Sequence, residues 1–187
     1  MPTTPAVITT KRTTLHPFSQ CDAQSFFDLN LNPENVRFTG DAPFQSVQDA
    51  KTFIASYDHY QKHGFGRWSV YLKPNSLANT TSAVSQYIGF CGLRKNNQNG
   101  LVDIGYRIDQ KYWGQGLATE TALGVLAYGF EHLSLPQIVS RARVDNPASI
   151  TVLHKIGFSE SGQEQEDGFT WLLFELKSTN WTKANQK

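Results

Sequence analysis

The sequence predicts a mixed α/β (α+β) domain whose central sheet is mostly antiparallel and is flanked by helices. Strand-like and helix-like segments alternate along the chain, and short polar turns separate strands that can pair as hairpins. The chain has 187 residues, 39% of them hydrophobic, which is enough to bury one sizeable core. No internal repeat is visible, so we expect one domain rather than an array of small units.

Apolar periodicity defines the elements of the first half. Ser46 can cap a helix with Asp49 three residues on, and apolar positions from Phe53 to Tyr60 recur every three or four residues. Polar stretches at 74–82 and 95–100 are typical of turns between strands. The predicted elements are a strand at 7–15, helices at 22–29 and 46–63, and strands at 68–72, 87–93 and 101–108.

The second half contains a long amphipathic helix and a short one. Apolar residues from Ala118 to Leu133 fall along one stripe, which favours a helix over 117–133 that buries this face. Pro147 after Asn146 suits the start of a short helix, and Gly157 suits its end. The remaining predicted elements are strands at 137–144 and 169–176.

Charge and composition argue against several classes of protein. The formal net charge is +1, so there is no electrostatic footprint for nucleic acid, and no basic cluster indicates a membrane surface. Apolar runs are far shorter than the roughly 18 residues that a spanning helix needs, and the N-terminus lacks a signal-peptide core. Cys21 and Cys91 lie far apart and form no metal or redox motif. We expect a cytoplasmic protein with no metal, no nucleic-acid partner and no membrane partner.

A glycine-spaced turn, Trp113-Gly-Gln-Gly-Leu-Ala118, lies between the strand at 101–108 and the long helix. Glycine permits positive φ and close approach of a ligand, and the first N–H groups of the following helix are unpaired. The helix dipole adds partial positive charge, so the turn favours a phosphate or pyrophosphate. Thr119 breaks the dinucleotide fingerprint, and no Gly-Lys-Ser/Thr is present. A tight structural turn that binds no ligand and a nucleotide-binding site are the alternatives to a phosphate site of another kind.

The turn resembles the Q/R-x-x-G-x-G/A motif of the GNAT acyl-CoA N-acetyltransferases, with Trp113 at the Gln/Arg position. Residues 146–158, Asn-Pro-Ala-Ser-Ile-Thr-Val-Leu-His-Lys-Ile-Gly-Phe, resemble the N-x-A-S-x-x-V-L-x-K-x-G-F segment of the RimJ/RimL-like (ribosomal-protein N-terminal acetyltransferase-like) branch. Segments at 10–17, 64–68 and 88–93 resemble its first strands. The resemblance implies one GNAT domain at 8–176 with a bulged central strand, between flexible termini at 1–7 and 177–187.

The resemblance implies acetyl-CoA as cosubstrate. Its pyrophosphate would lie on the backbone amides of the turn, and its pantetheine arm would lie beside the strand at 106–108 and contact Asn146. Asn146 is also suited to cap the short helix, and both roles are compatible. Gly105 fits either the strand bulge of the family or a packing role. The implied cofactor-binding residues are Tyr106, Arg107, Ile108, Trp113, Gly114, Gln115, Gly116, Leu117, Ala118, Thr119 and Asn146.

Catalytic residues carry over from the resemblance less completely. The general-acid Tyr of RimI-type relatives falls at Leu153 and their general-base Glu falls at Arg141, so neither role carries over. The RimL-like branch implies Ser149 as hydrogen-bond donor to the departing thiolate. Local bonding of its hydroxyl to the helix backbone is the alternative.

Acetyl transfer needs a neutral amine, so a general base is expected. The candidates are Asp103 on the central strand and Glu120 in the first turn of the long helix. Regular alternation would place Asp103 on one face with Gly105, and a solvated strand position is the alternative. The alternative for Glu120 is a structural role, in which its negative charge interacts favourably with the positive end of the helix dipole. His63 and His154 are further candidates, and water could relay the proton instead.

The absence of the general-base Glu of RimI-type relatives affects which amine can accept the acetyl group. An α-amine titrates at about 7.7–8 and a lysine at about 10.4, so neutralising lysine at about pH 7.5 costs about 4 kcal/mol, against under about 1 kcal/mol for an α-amine. The resemblance implies an amine acceptor, first a protein N-terminal α-amine because the branch contains such enzymes, with small amines, amino acids and antibiotics as alternatives. Tyr112 and Trp113 are candidates for shaping the acceptor cleft. A non-catalytic acyl-CoA-binding module is the rival interpretation, and the chain is expected to be a monomer or a homodimer.

Overall fold

The computed structural model describes residues 6–40, 42–77 and 82–181. Short turns connect its strands and helices. The strands are β1 (Ile8–Thr9), β2 (Thr13–Pro17), β3 (Arg67–Leu72), β4 (Gln86–Lys95), β5 (Val102–Ile108), β6 (Gln137–Arg143), β7 (Ser159–Glu166) and β8 (Phe169–Lys177). The helices are α1 (Ala23–Leu31), α2 (Pro33–Val36), α3 (Val47–Ser56), α4 (His59–His63), α5 (Leu117–Ala127) and α6 (Pro147–Lys155).

The strands form an eight-stranded sheet in the order β1-β2-β3-β4-β5-β6-β8-β7. Neighbouring strands are antiparallel except β5 and β6, which are parallel and are joined through α5. The predicted architecture, a mixed and mostly antiparallel sheet flanked by helices, is confirmed.

Apolar side chains cover the two faces of the sheet unequally. On one face α5 and α6 pack on the main core, which includes the fully buried Trp68, Leu126 and Leu153. On the other face α1 and α3 pack on β4 through a smaller cluster around Phe26 and Ile54. Burying each large apolar side chain contributes about 1.5–3 kcal/mol, so the main core carries most of the stability of the sheet.

Helix ends follow the predicted caps. The Ser46 hydroxyl accepts from Asp49 N (3.2 Å) while the Asp49 carboxylate accepts from Ser46 N (2.9 Å), which completes a capping box for α3. Beyond α6, Gly157 has a φ of +96°, its N–H donates to His154 O, and Phe158 N donates to Leu153 O. These bonds form a Schellman ending, so both predicted helix boundaries are confirmed.

Several predicted elements differ from the structure in extent. The predicted strand at 7–15 is a hairpin, because the chain reverses between β1 and β2. The predicted helix at 46–63 breaks at Tyr57, which has extended backbone, and continues as α4. The predicted helix at 117–133 changes after Ala127 into a π-helical turn, Tyr128–His132. β7 and α2 have no counterpart in the prediction.

Gly105 is a packing glycine rather than a bulge. The register of β5 against β4 runs without a break through Gly105. A Cβ added there would lie 2.7 Å from Arg67 Nη2, so a larger residue would require that guanidinium to shift. The register shift lies one strand away, in β4, where Gly89 pairs with Val70 and Tyr87 pairs with Tyr71.

The ends of the described chain are held by side-chain contacts. Trp68 Nε1 donates to Ala6 O (2.9 Å), and Trp181 stacks on Phe130 with ring centroids 5.4 Å apart. Ordered contacts therefore extend past the predicted domain limits of 8 and 176. Residues 1–5 and 182–187 of the predicted flexible termini, and 78–81 of the predicted turn, lie outside the described residues. Cys21 is exposed, Cys91 is buried, and both are free thiols.

None of the described helices is long and apolar enough to cross a membrane.

Candidate active site

The gap between β5 and β6 is the central feature of the site. In the described chain these strands pair at Asp103 and Val139, and Ser140 Oγ donates to Ile104 O (3.1 Å) where they begin to separate. The Ile104 carbonyl thus points toward β6. Backbone groups of residues two apart on a strand point to the same edge, so Tyr106 presents its N–H and C=O to the gap as well. A ligand can therefore bind this edge as an additional strand would.

The glycine turn opens onto the same cleft. Gly114 and Gly116 both have a φ of +72°, the left-handed region that favours glycine, and Gly116 caps α5. The first helical bond runs from Glu120 N to Gly116 O (3.0 Å), so the N–H groups of 117–119 point out of the helix end. A Cβ added at Gly114 would meet no described atom within 4 Å. The turn thus has the geometry and open space of an anion site.

Arg12, which was absent from the sequence prediction, holds this turn from outside. Its Nη1 donates to Gln115 O (2.9 Å), and its Nε and backbone N each lie 2.6 Å from the Glu120 carboxylate. Thr10 Oγ1 adds a bond of 2.7 Å to the same carboxylate. Burial alone would raise the pKa of Glu120, but these bonds outweigh burial and hold the pKa below its ordinary value. Glu120 therefore faces the β1–β2 turn rather than the gap.

Trp113 and Tyr112 occupy different places beside the turn. The Trp113 side chain is 46% exposed, and its Nε1 donates to Ile108 O (2.6 Å), which fixes the ring at the mouth of the cleft. Tyr112 is buried and its hydroxyl donates to Gln86 Oε1 (2.9 Å). Trp113 is therefore the more accessible of the two to a ligand.

Asn146, Ser149 and Tyr106 meet at the β6 side of the gap. Asn146 Oδ1 accepts from Ser149 N (3.1 Å), which caps α6 and leaves the amide nitrogen of Asn146 for another acceptor. Ser149 Oγ lies 3.0 Å from Tyr106 Oη, and either hydroxyl can be the donor. Burial is the main cause that raises the pKa of Tyr106, and the bond to Ser149 only partly offsets it. The phenol is therefore protonated at neutral pH.

Asp103 lies on the opposite face of β5 from Tyr106. Its carboxylate forms ion pairs with Arg67 and with Arg94 Nε, the latter at 3.1 Å. Arg67 also fills the space beside Gly105, so Asp103 and Gly105 share a face as regular alternation requires. Both carboxylate oxygens of Asp103 are thus bound by guanidinium groups, which opposes a role as general base.

The histidines differ in their relation to the cleft. His63 ends α4 and packs on Phe65, whereas exposed His154 lies 3.3 Å from the Glu160 carboxylate; neither lines the cleft. His59, which was not among the predicted residues, does line it. Burial and the neighbouring His63 hold the pKa of His59 below its ordinary value, so its imidazole is neutral at neutral pH.

Residues 153 and 141 have other structural roles here. Leu153 is fully buried in the main core. Arg141 forms ion pairs with Glu164 (2.8 Å) and Glu166 (2.5 Å) on β7. Both side chains stabilise the C-terminal part of the domain.

A cleft of about 1640 Å³ extends from the turn, through the gap, to the face covered by α1 and α3. On that face it is bordered by rings that we call the aromatic wall, which consists of Phe18, Phe26, Phe44, Phe53, Tyr57 and Phe90. The turn, the Tyr106–Ser149 pair and the aromatic wall therefore all border this cleft.

Sequence comparison extends these observations to known proteins. The model of the family described as acetyltransferase (GNAT) domain matches residues 12–159. The uncharacterized N-acetyltransferase YoaA of Bacillus subtilis is 31% identical over 160 residues, which cover 83% of this chain and 84% of YoaA. The uncharacterized N-acetyltransferase p20 of Bacillus licheniformis is 28% identical over 155 residues, 82% of each chain.

Solved structures share the fold. Mycobacterium smegmatis RimJ in complex with CoA-disulfide has a TM-score of 0.78 at 18% identity, covering 99% of this chain and 92% of that one. Spermidine N-acetyltransferase from Vibrio cholerae, in complex with CoA and spermine, has a TM-score of 0.74 at 19% identity, covering 90% and 97%.

The family match covers both motifs from which the resemblance was inferred, the glycine turn and the segment at 146–158. The prediction of a GNAT acetyltransferase with acetyl-CoA as cosubstrate is confirmed. This chain therefore belongs to the GNAT acetyltransferase family and is an acetyl-CoA-dependent acyltransferase.

Proposed function

We propose that this enzyme transfers acetyl from acetyl-CoA directly to a primary amine within the β5–β6 gap. The observation that carries the proposal is the arrangement of three groups along one cleft. These are the anion-binding turn at Gly114, the open edge of β5 at Tyr106, and the hydroxyl pair of Tyr106 and Ser149. They suit the pyrophosphate, the pantetheine arm and the thioester in that order.

Binding of acetyl-CoA would use backbone groups for the most part. The amides of Gly114 to Thr119 would hold the pyrophosphate, with Trp113 beside them. The strand from Tyr106 through Arg107 to Ile108 would pair with the pantetheine amides. The amide nitrogen of Asn146, which its capping bond does not use, would donate to the same arm.

The reaction needs stabilisation of an oxyanion and of a thiolate. The amine nitrogen attacks the thioester carbon, and the carbonyl oxygen takes up negative charge that a backbone N–H of β5 would stabilise. Collapse breaks the carbon–sulfur bond and releases CoA thiolate. Ser149 would donate a hydrogen bond to this thiolate, while Tyr106, protonated and 3.0 Å away, would donate to Ser149 Oγ in place of its bond to Ser149 O. The thiolate then takes its proton from water.

Removal of the amine proton requires no protein carboxylate in this scheme. Asp103 and Glu120 are each engaged by cations, so we assign them to fixing Arg67 and the β1–β2 turn, and we assign proton removal to water. An amine that is already largely neutral near pH 8 suits such a site. We therefore propose an α-amine, as on a peptide N-terminus, ahead of a lysine side chain. Small amines are the alternative acceptors, as the name of the Vibrio spermidine acetyltransferase illustrates for that protein.

Calorimetry and CoA release together test this proposal. We expect acetyl-CoA to bind, ATP and NAD not to bind, and free thiol to appear when a panel of peptides, amino acids and polyamines is added. Thiol release without a matching acetylated product would contradict transfer to an amine. Binding without turnover on the whole panel would instead support a non-catalytic acyl-CoA-binding module.

A further inference from the structure

We propose that the preferred acceptor is a primary monoamine that carries an aromatic group, and that this group binds against the aromatic wall. The inference rests on the proposed acetyl transfer and adds the chemical class of the acceptor. Two sources share this chemistry, an arylalkyl amine and a peptide whose first residue is aromatic.

The aromatic wall begins one strand away from the site proposed for the thioester. Phe90 of β4 pairs with Arg107 of β5, the residue that follows Tyr106. The Arg107 guanidinium carbon lies 5.2 Å from the Phe90 ring centroid, so the two side chains share the face that points away from α5. An amine that reaches the thioester from this face therefore places its substituent beside Phe90.

Most rings of the wall belong to the smaller core cluster, and several of the rings remain partly open to the cleft. Phe26 is buried, but Phe53 stacks on it (5.5 Å between centroids, 12° between planes) and remains 38% exposed. Phe18 packs edge-on against Tyr57 at 5.0 Å, and both rings are only partly buried. Such rings gain further contact area when an aromatic ligand covers them.

The charges around the cleft disfavour an acceptor with several ammonium groups. Each described carboxylate that lines the cleft has an arginine or lysine partner. These carboxylates are Glu34, Asp58, Asp103, Glu164, Glu166 and Glu175. A second ammonium of a polyamine would therefore compete with an arginine or lysine for a carboxylate that is already paired. A monoamine with an apolar substituent meets no such obstacle.

The test compares initial rates of CoA release for matched amines at saturating acetyl-CoA. The probes are 2-phenylethylamine against butylamine and spermidine, and a phenylalanyl peptide against the same peptide beginning with alanine. We expect kcat/KM for the aromatic member to exceed that of its partner by about tenfold or more. The pair that shows the larger ratio identifies the source of the amine.

A variant pair links the preference to the wall. Phe53→Ala removes one ring of the wall, whereas Phe169→Ala removes a ring of similar exposure, 42%, that does not line the cleft. We expect Phe53→Ala to reduce the aromatic preference by about three- to tenfold, the loss of one aromatic contact, and Phe169→Ala to leave it unchanged. Acetyl-CoA affinity and the melting temperature show whether each variant is folded. Phe53→Leu, which keeps an apolar side chain, replaces Phe53→Ala if that variant does not fold.

The outcomes separate this inference from the proposed function. Faster transfer to spermidine, butylamine or the alanyl peptide would overturn the aromatic acceptor and leave acetyl transfer intact. A folded Phe53 variant with an unchanged preference would overturn the role of the wall. Acetyl-CoA binding without transfer to any of the amines would contradict the proposed function itself.

Discussion

Arg12 and Glu120 form a two-point contact although they lie 108 residues apart in the chain, with backbone N and Nε each 2.6 Å from a carboxylate oxygen. The same guanidinium binds Gln115 O, so the β1–β2 turn supports both the glycine turn and the first turn of α5. The anion site is therefore fixed partly by a segment that lies about a hundred residues before it in the chain.

Loss of Arg12 should weaken acetyl-CoA binding. In Arg12→Ala the carbonyl of Gln115 loses its side-chain donor, and the carboxylate of Glu120 loses the Nε bond while it keeps those from the backbone N of residue 12 and from Thr10 Oγ1, at a cost of about 1–3 kcal/mol in local stability. We expect the dissociation constant for acetyl-CoA to rise about tenfold or more by calorimetry, with a smaller change in kcat at saturation. Arg37→Ala, which removes an exposed arginine with a 3.5 Å ion pair to Glu34, is the control. Equal affinity in Arg12→Ala and wild type would refute this role.

The low pKa of Glu120 predicts a pH-dependent contribution to stability. Because the pKa in the folded protein lies below the ordinary value of 4.5, the ionised carboxylate stabilises the fold above about pH 4.5 and loses this effect as pH falls through the folded pKa. We expect Glu120→Gln to lower the unfolding free energy by about 1–3 kcal/mol at neutral pH. The difference from wild type, measured by urea denaturation, should narrow below pH 4.5; a constant difference would contradict the assignment.

A carboxylate in the glycine turn should abolish acetyl-CoA binding. Gly116→Asp places negative charge where the pyrophosphate is proposed to bind, and it also strains a backbone with φ of +72°. Gly100→Asp is the matched control, because Gly100 has a φ of +73° and open surroundings in a hairpin turn. We expect similar losses of melting temperature in both variants but loss of calorimetric binding in Gly116→Asp alone.

Removal of either hydroxyl at the gap should slow the chemical step. Ser149→Ala removes the proposed donor to the thiolate, and Tyr106→Phe removes the phenol that orients it. We expect kcat to fall about tenfold or more in both, with acetyl-CoA affinity changed by less than about threefold. Ser159→Ala, on the exposed strand β7, controls for loss of a hydroxyl. Equal losses of acetyl-CoA affinity and of kcat would show that the two hydroxyls contribute only to acetyl-CoA binding.

Two variants of Asn146 separate its capping role from cofactor binding. Asn146→Ala should destabilise the protein by about 1 kcal/mol, because Ser149 N loses its acceptor. Asn146→Ser retains a capping oxygen but has no amide nitrogen. If the amide contacts the pantetheine arm, Asn146→Ser should keep its melting temperature and lose acetyl-CoA affinity; unchanged affinity would leave Asn146 as a cap.

Features that depend on residues close together in the sequence could be predicted, whereas features that depend on tertiary contacts could not. Local patterns predict the glycine turn, the caps of α3 and α6 and the β4–β5 hairpin, because each of these depends on residues that are close together in the sequence. β7 reads Ser-Glu-Ser-Gly-Gln-Glu-Gln-Glu and is exposed along its whole length, so it has no apolar alternation and is recognisable only from its pairing with β8. The bonds of Arg12 and the approach of α3 to β4 depend on tertiary contacts, which no local pattern encodes.

The most direct test of the central claim is a crystal structure of the protein with CoA or a non-hydrolysable acetyl-CoA analogue. We expect the pyrophosphate on the amides of 114–119, the pantetheine arm along Tyr106, and the sulfur within hydrogen-bond distance of Ser149 Oγ. A CoA bound outside the β5–β6 gap, or a sulfur far from Ser149, would contradict the account.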